Sequence, residues 1–231
     1  SKVAFCFSPE LDFALVEIIN KETNRSINFE ENAPGVRGLW EIKLIDGDVE
    51  HSLASGRDEV THELTRNDTG SELVISWDRM KAGNSKTRVA AHIFLPDNAA
   101  IAQWSINITV SGVQAPWVKT VRFPLLRGIK SLGDDYLVTG EYIGRIIRNP
   151  GKRLSNLSIC SPGTWAMQFV AFHGSEQLKA NNLVDLSGKF KVNGFYRGPA
   201  SDETGLFFSA ADGNGWIKRL NMNRTGRQKE V

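Results

Sequence analysis

Glu72–Val110 reads ELVISWDRMKAGNSKTRVAAHIFLPDNAAIAQWSINITV, and the spacing of its apolar residues decides the fold class. An extended ELVISW puts Leu73, Ile75 and Trp77 on one face. After the turn-forming loop Lys81-Ala82-Gly83-Asn84-Ser85-Lys86, RVAAHIFL (Arg88–Leu95) resumes a β-prone run. In the third segment Trp104, Ile106, Ile108 and Val110 alternate with Ser105, Asn107 and Thr109. That period of two places the first set against a core and the second toward water. Three such strands, joined by turn-rich loops with no helical periodicity between them, predict an antiparallel meander and an all-β chain.

Working outward toward the N-terminus, Leu11–Phe29 predicts an opening hairpin with its turn at Lys21-Glu22-Thr23-Asn24-Arg25 and its buried centre at Ile18 and Ile19. Asn32-Ala33-Pro34-Gly35 breaks the chain. Leu39-Trp40-Glu41-Ile42-Lys43-Leu44 then alternates apolar with charged residues and ends at Asp46-Gly47-Asp48, the mark of a half-buried strand entering a turn. His51–Asn67 is polar and weakly patterned, and is expected to supply one edge strand.

Toward the C-terminus, Val118–Phe123 is a strand stopped by Pro124, which has no N–H to give a ladder. Tyr136–Val138 and Tyr142–Ile147 are short strands, and Leu183–Leu186 with Phe190–Tyr196 predict a further pair. Gly205–Leu220, GLFFSAADGNGWIKRL, reads as a hairpin about Asp212-Gly213-Asn214-Gly215, residues that tolerate positive φ. Trp165–His173, WAMQFVAFH, has the same small-aromatic texture and is expected beside or facing it in one sheet system. From Asn221 onward the chain is polar and basic with no apolar face. Residues 1–220 therefore read as one domain and 221–231 as a polar linker or end.

Ordinary globular composition and a net charge of +2 provide no field that would draw nucleic acid or anionic membranes. No run of eighteen apolar residues exists to insert in a bilayer, and Lys2–Phe7 is too short for a signal-peptide core. The export question stays open, with the periplasm or cell exterior favoured. Cys6 and Cys160 fit either one long-range disulfide or two buried thiols. Their separation, the lack of His-x-x-x-His and the lack of an Asp-x-Asp-x-Asp-Gly loop exclude the common zinc and calcium patterns, and no cofactor is implied.

Four pieces in order resemble a known family. They are Val121-Arg122-Phe123-Pro124-Leu125-Leu126; Tyr136-Leu137-Val138 with Gly140 and Gly144; Ser161-Pro162-Gly163 with Met167-Gln168-Phe169; and Gly205-Leu206-Phe207-Phe208 with Asp212, Gly213 and Lys218. Together they look like the N-terminal galactose-mutarotase-like domain of bacterial glycoside-hydrolase-like proteins. The resemblance implies a large two-layer antiparallel β-super-sandwich. It also implies carbohydrate as a ligand and a catalytic barrel, C-terminal in the same chain, as the partner that holds the chemistry.

Sugar binding needs an aromatic platform and a few polar groups on an open face. Trp77 and Trp104 belong to apolar stripes, whereas Trp117 follows Ala115-Pro116 in a loop and is expected to be exposed. His92, Arg122 and Gln168 interrupt apolar strands, and the super-sandwich would set them on one concave sheet. Asp212 opens the predicted turn. The candidate carbohydrate contacts are thus His92, Trp117, Arg122, Gln168 and Asp212, each of which also reads as an ordinary solvent-facing or turn residue. No residue is assigned to catalysis: a mutarotase-like epimerase needs a histidine acid and a carboxylate base across a sugar ring, and none of His51, His62, His92 and His173 sits in an Asn-His-aromatic context. The expected function is a non-catalytic domain of a carbohydrate-active protein, with a free-standing sugar-binding module and an epimerase as alternatives.

Overall fold

The structure is a computed structural model that describes residues 1–29, 38–56, 59–112, 115–126, 128–129, 135–139, 145–149, 156–161, 167–173, 204–210 and 218–223. The chain divides into two compact units, Ser1–Lys130 and Ser131–Val231. Antiparallel strands make up both. Among the described residues the helical content is one 3-10 turn, Pro9–Leu11. The all-β class follows, in a form consistent with a β-sandwich.

The first unit opens with β1 (Val3–Ser8), β2 (Ala14–Asn20) and β3 (Arg25–Asn28), a sheet in that order. β2 and β3 are the opening hairpin, with Ile18 opposite Ile27 and both buried. The Asn20 side chain closes its turn by accepting the backbone N–H groups of Glu22 and Thr23. Next come β4 (Glu41–Asp46) and β5 (Val49–Ala54), joined at Gly47, whose φ of 59° suits a residue without Cβ. The meander β6 (Val60–Asn67), β7 (Gly70–Ala82), β8 (Ser85–Pro96) and β9 (Gln103–Ser111) follows in sequential order, as the alternation predicted. Finally β10 (Trp117–Arg122) returns to pair with β4, giving the order β10-β4-β5. The segment 51–67, expected to hold one edge strand, contributes to two: β5 and β6 stand at the edges of different sheets.

Two sheets of this unit share a core. β4 presents Ile42 and Leu44, while β7 and β8 present Ile75, Trp77, Val89, Ala91 and Ile93. On β9 the alternation is complete: Trp104, Ile106, Ile108 and Val110 pack against this cluster, and the residues between them are exposed. Trp40 and Trp77, both fully buried, meet edge to face at 5.5 Å and 85°. This geometry sets the positive ring edge of one indole against the negative face of the other.

Ser55 holds Trp40 at that contact. Its Oγ accepts the Leu39 N–H at 2.6 Å and the Trp40 N–H at 3.3 Å, and its own N–H donates to the Trp40 carbonyl at 3.1 Å. Gly38, at φ 88°, lets the chain pass so closely that a Cβ there would run into the Ser55 hydroxyl.

The second unit contains β11 (Asp135–Thr139), β12 (Arg145–Arg148), β13 (Asn156–Ser161), β14 (Met167–His173), β15 (Thr204–Ala210) and β16 (Lys218–Asn223). One sheet has the order β12-β11-β14-β15, and β13 pairs with β16. The two apolar stretches lie side by side as expected, with Phe169 opposite Phe208 and Val170 opposite Phe207. The hairpin expectation is corrected. β15 pairs with β14 and β16 with β13, so GLFFSA (Gly205–Ala210) and the strand after it belong to different sheets. β16 aligns instead with the whole of β13, from Asn156 opposite Asn223 to Ser161 opposite Lys218, since strand pairing is settled by whole-strand register rather than by turn residues alone. Residues 211–217, including the predicted turn, lie outside the described residues, as do the predicted pair at 183–196 and the tail beyond Asn223. β16 itself continues past Asn221, where the linker was read to begin.

Two outcomes test this packing by urea denaturation. Ser55→Ala strips two buried N–H groups of their acceptor and should cost about 1–3 kcal/mol. Ile75→Ala, in the sealed core, should cost about 2–5 kcal/mol, and Ile106→Ala, on a partly open strand, distinctly less.

Candidate functional site

The outer face of the β10-β4-β5 sheet is built by simple alternation. Ile42 and Leu44 point into the core with at most 1% exposure, so Glu41, Lys43 and Ile45 point out. Antiparallel partners project to the same side. The register therefore adds Ala54, Ser52 and Glu50 from β5 and Arg122, Thr120 and Trp117 from β10. Between Val118 and Thr120 the register shifts by one residue. Lys119 is the extra residue of this β-bulge, and its ammonium reaches Glu50 on the far strand at 2.7 Å.

Charges on this face are organised. Arg122 Nη1 donates to Glu41 Oε2 at 2.9 Å, and Lys43 donates to Glu50 as Lys119 does. The two ammoniums, Lys119 first and then Lys43, hold the Glu50 carboxyl at about 2, far below its usual range. A shallow pocket of about 240 Å³ opens here, walled by Glu41, Lys43, Ser52, Ala54, Thr120 and Arg122 and floored by Ile42 and Leu53. Trp117, 82% exposed, stands on the same face farther along β10. An indole platform beside fixed hydrogen-bond donors and acceptors suits a flat, polar ligand that has one apolar face.

Of the candidate contacts, Trp117 and Arg122 come together on this face. His92 lies on β8, in the β6-β7-β8-β9 sheet of the same unit, facing away from the shared core. Its Nδ1 lies 3.1 Å from Glu72 Oε1 and its Nε2 3.4 Å from Asn107 Nδ2. Gln168 is on β14, opposite Ser209. His92, Arg122 and Gln168 thus belong to three different sheets. Asp212 lies outside the described residues.

Sequence reading did not assemble Glu41, Lys43, Glu50, Ser52, Lys119 and Thr120 with Trp117. The alternation around Ile42 and Leu44 marked Glu41 and Lys43 as outward. What it lacked was the pairing of β4 with a strand far along the chain, which no local pattern reveals.

A second depression, lined by Pro9, Glu10, Asp12, Phe13, Gly56 and Val60, follows from a tight turn at which Asp12 and Phe13 both take positive φ. Phe13 is buried against the His62 and Trp77 rings there, so the turn serves the core. Cys6 is a free thiol, raised above its ordinary value by burial and by the facing Glu17 carboxylate, the opposite of what a nucleophile needs. Among the described residues no group of three His, Cys, Asp or Glu side chains could hold a metal ion, and no helix is long and apolar enough to cross a membrane.

The Glu50 cluster has a direct readout. In an NMR pH titration Glu50 should titrate at about 2, and Lys119→Met should move its midpoint up toward the ordinary 4.5. Because the folded value is depressed, the stabilisation from this cluster is complete above pH 4.5 and is lost as pH falls through about 2. Exposure makes it sensitive to salt. No protein-family model, curated protein or solved structure matches this chain.

Proposed function

We propose that this chain is a non-catalytic β-sandwich domain of a larger carbohydrate-active protein, of the galactose-mutarotase-like super-sandwich type, and that the β10-β4-β5 face contacts carbohydrate. The observation that carries the reading is Trp117, held 82% exposed on a polar, ion-paired sheet face. A sugar ring offers an apolar C–H face to such an indole and hydroxyls to the neighbouring side chains. Ordered all-β motifs and the antiparallel sheets support the fold part of the reading.

The carboxylates support the absence of hydrolysis on this face. Glycoside cleavage needs one carboxyl raised high enough to donate a proton near neutral pH. Glu50 is held in the opposite direction, and Glu41 accepts from Arg122. An epimerase would need its acid and base on either side of a sugar ring. Glu72 and His92 are instead hydrogen-bonded to each other, with no room for a ring between them. A C-terminal catalytic domain is the partner this reading assigns, and the periplasm or cell exterior is the compartment where such a protein meets its substrate.

Trp117→Ala should weaken glycan binding at least about tenfold, the loss of one good aromatic contact, while shifting stability by no more than about 0.5 kcal/mol because the side chain is exposed. Isothermal titration with the ligands found on a glycan array, together with thermal melts, checks both parts. On an aryl glycoside panel the 231-residue chain should give no turnover, and the longer product of the same reading frame should. Equal turnover by the short chain would place catalysis in it and overturn the proposal.

A further inference from the structure

Among the described residues, the strands of the β10-β4-β5 face carry three cations, Lys43, Lys119 and Arg122, and two carboxylates, Glu41 and Glu50. One carboxylate serves two lysines, leaving an excess positive charge on the same surface as Trp117. Asp46 does not cancel it: alternation turns this residue inward, with its Oδ2 close to Gly83, and Asp48 lies in the exposed turn between β4 and β5, off the strands. The donors remain open to solvent, with the side chains of Lys43, Lys119 and Arg122 exposed by 43%, 54% and 52%. Exposed ion pairs are weakly held and are readily rearranged by a competing anion.

We infer that this face takes an anionic oligosaccharide, one whose rings carry carboxylate or sulfate groups. The inference rests on the carbohydrate-binding reading above and specifies its ligand class. A ring stacks on Trp117, and its neighbours along the chain place anionic groups near Lys119, Lys43 and the pocket beside Arg122. Across the bulge Trp117 and Arg122 stand opposite Ile45 and Glu41, four residues apart on β4, so at strand rise the two lie roughly 13 Å apart, farther than one ring reaches. The ligand is therefore a chain of sugars. Arginine's planar fork suits both carboxylate and sulfate, which leaves the two anion types to experiment.

The test titrates the full chain and its variants with oligogalacturonate, with a sulfated oligosaccharide, with neutral galacto- and gluco-oligosaccharides of the same length, and with oligoglutamate. Anionic saccharides should bind more tightly than neutral ones, with affinity falling as salt rises. Glu50→Gln removes the shared carboxylate and should tighten anionic binding about fivefold at low salt, whereas Lys119→Gln should loosen it by the same factor. Thermal melts confirm that both variants stay folded, and the gain of affinity cannot come from misfolding. The preferred anion, uronate or sulfate, identifies the source. Neutral saccharides binding equally well, with Glu50→Gln inert, would overturn the anionic ligand and leave the carbohydrate reading standing. Oligoglutamate binding that survives Trp117→Ala, with no saccharide bound, would overturn both in favour of an acidic peptide. No binding by any probe would also overturn both.

Discussion

The edge-to-face contact of Trp40 with Trp77 is the constraint on which the first unit depends. It joins the strand entering β4 to the middle of β7, and so sets the spacing between the two sheets that share the core. Two large indoles sealed from water contribute more apolar area than any other pair in that core. Their position is not left to packing alone. Ser55, just beyond β5, ties down the backbone at Leu39 and Trp40, and Gly38 provides the close approach this requires. The same clamp fixes where β4 begins. It therefore fixes which of its residues face inward.

That inward choice determines the outer face. Once Ile42 and Leu44 are buried, Glu41 and Lys43 have no alternative but to face water beside β5 and β10. The proposed binding surface is thus the reverse side of the core. Its ion pairs contribute little to stability, being exposed, and their members can exchange one partner for another. A face arranged in this way offers donors to a ligand while costing the fold almost nothing.

Much of this architecture was legible in the sequence wherever local period decides the outcome. The stripe Trp104, Ile106, Ile108, Val110 announced β9, and the turn after Asn20 announced the first hairpin. Val3–Ser8 gave no such signal: five of its six residues are apolar, without alternation, because the strand is half-buried on both sides. The turn signal at Asp212-Gly213 misled for the opposite reason, since a strong local signal was set aside by the pairing of β16 with the distant β13. The candidate site was half legible. Trp117 stood out as a loop-flanked aromatic and Arg122 as a charge in an apolar strand, but their neighbours on β4 and β5 are contacts distant in sequence. His92 was legible only as a side: a polar residue in an apolar strand says which side faces water and not which sheet it shares.

The bulge at Lys119 has a consequence for how such a surface can change over generations. Trp117, Thr120 and Arg122 face outward and Val118 and Val121 inward, the alternation of a regular strand once residue 119 is skipped. Lys119 is thus an insertion that the ladder has absorbed. Deleting it restores an unbroken strand without turning a single neighbour to the other side, and another residue type placed there would present a new group on the same face. The proposed binding surface is free to vary through gains and losses of chain length, a route closed to the strict alternation of β9.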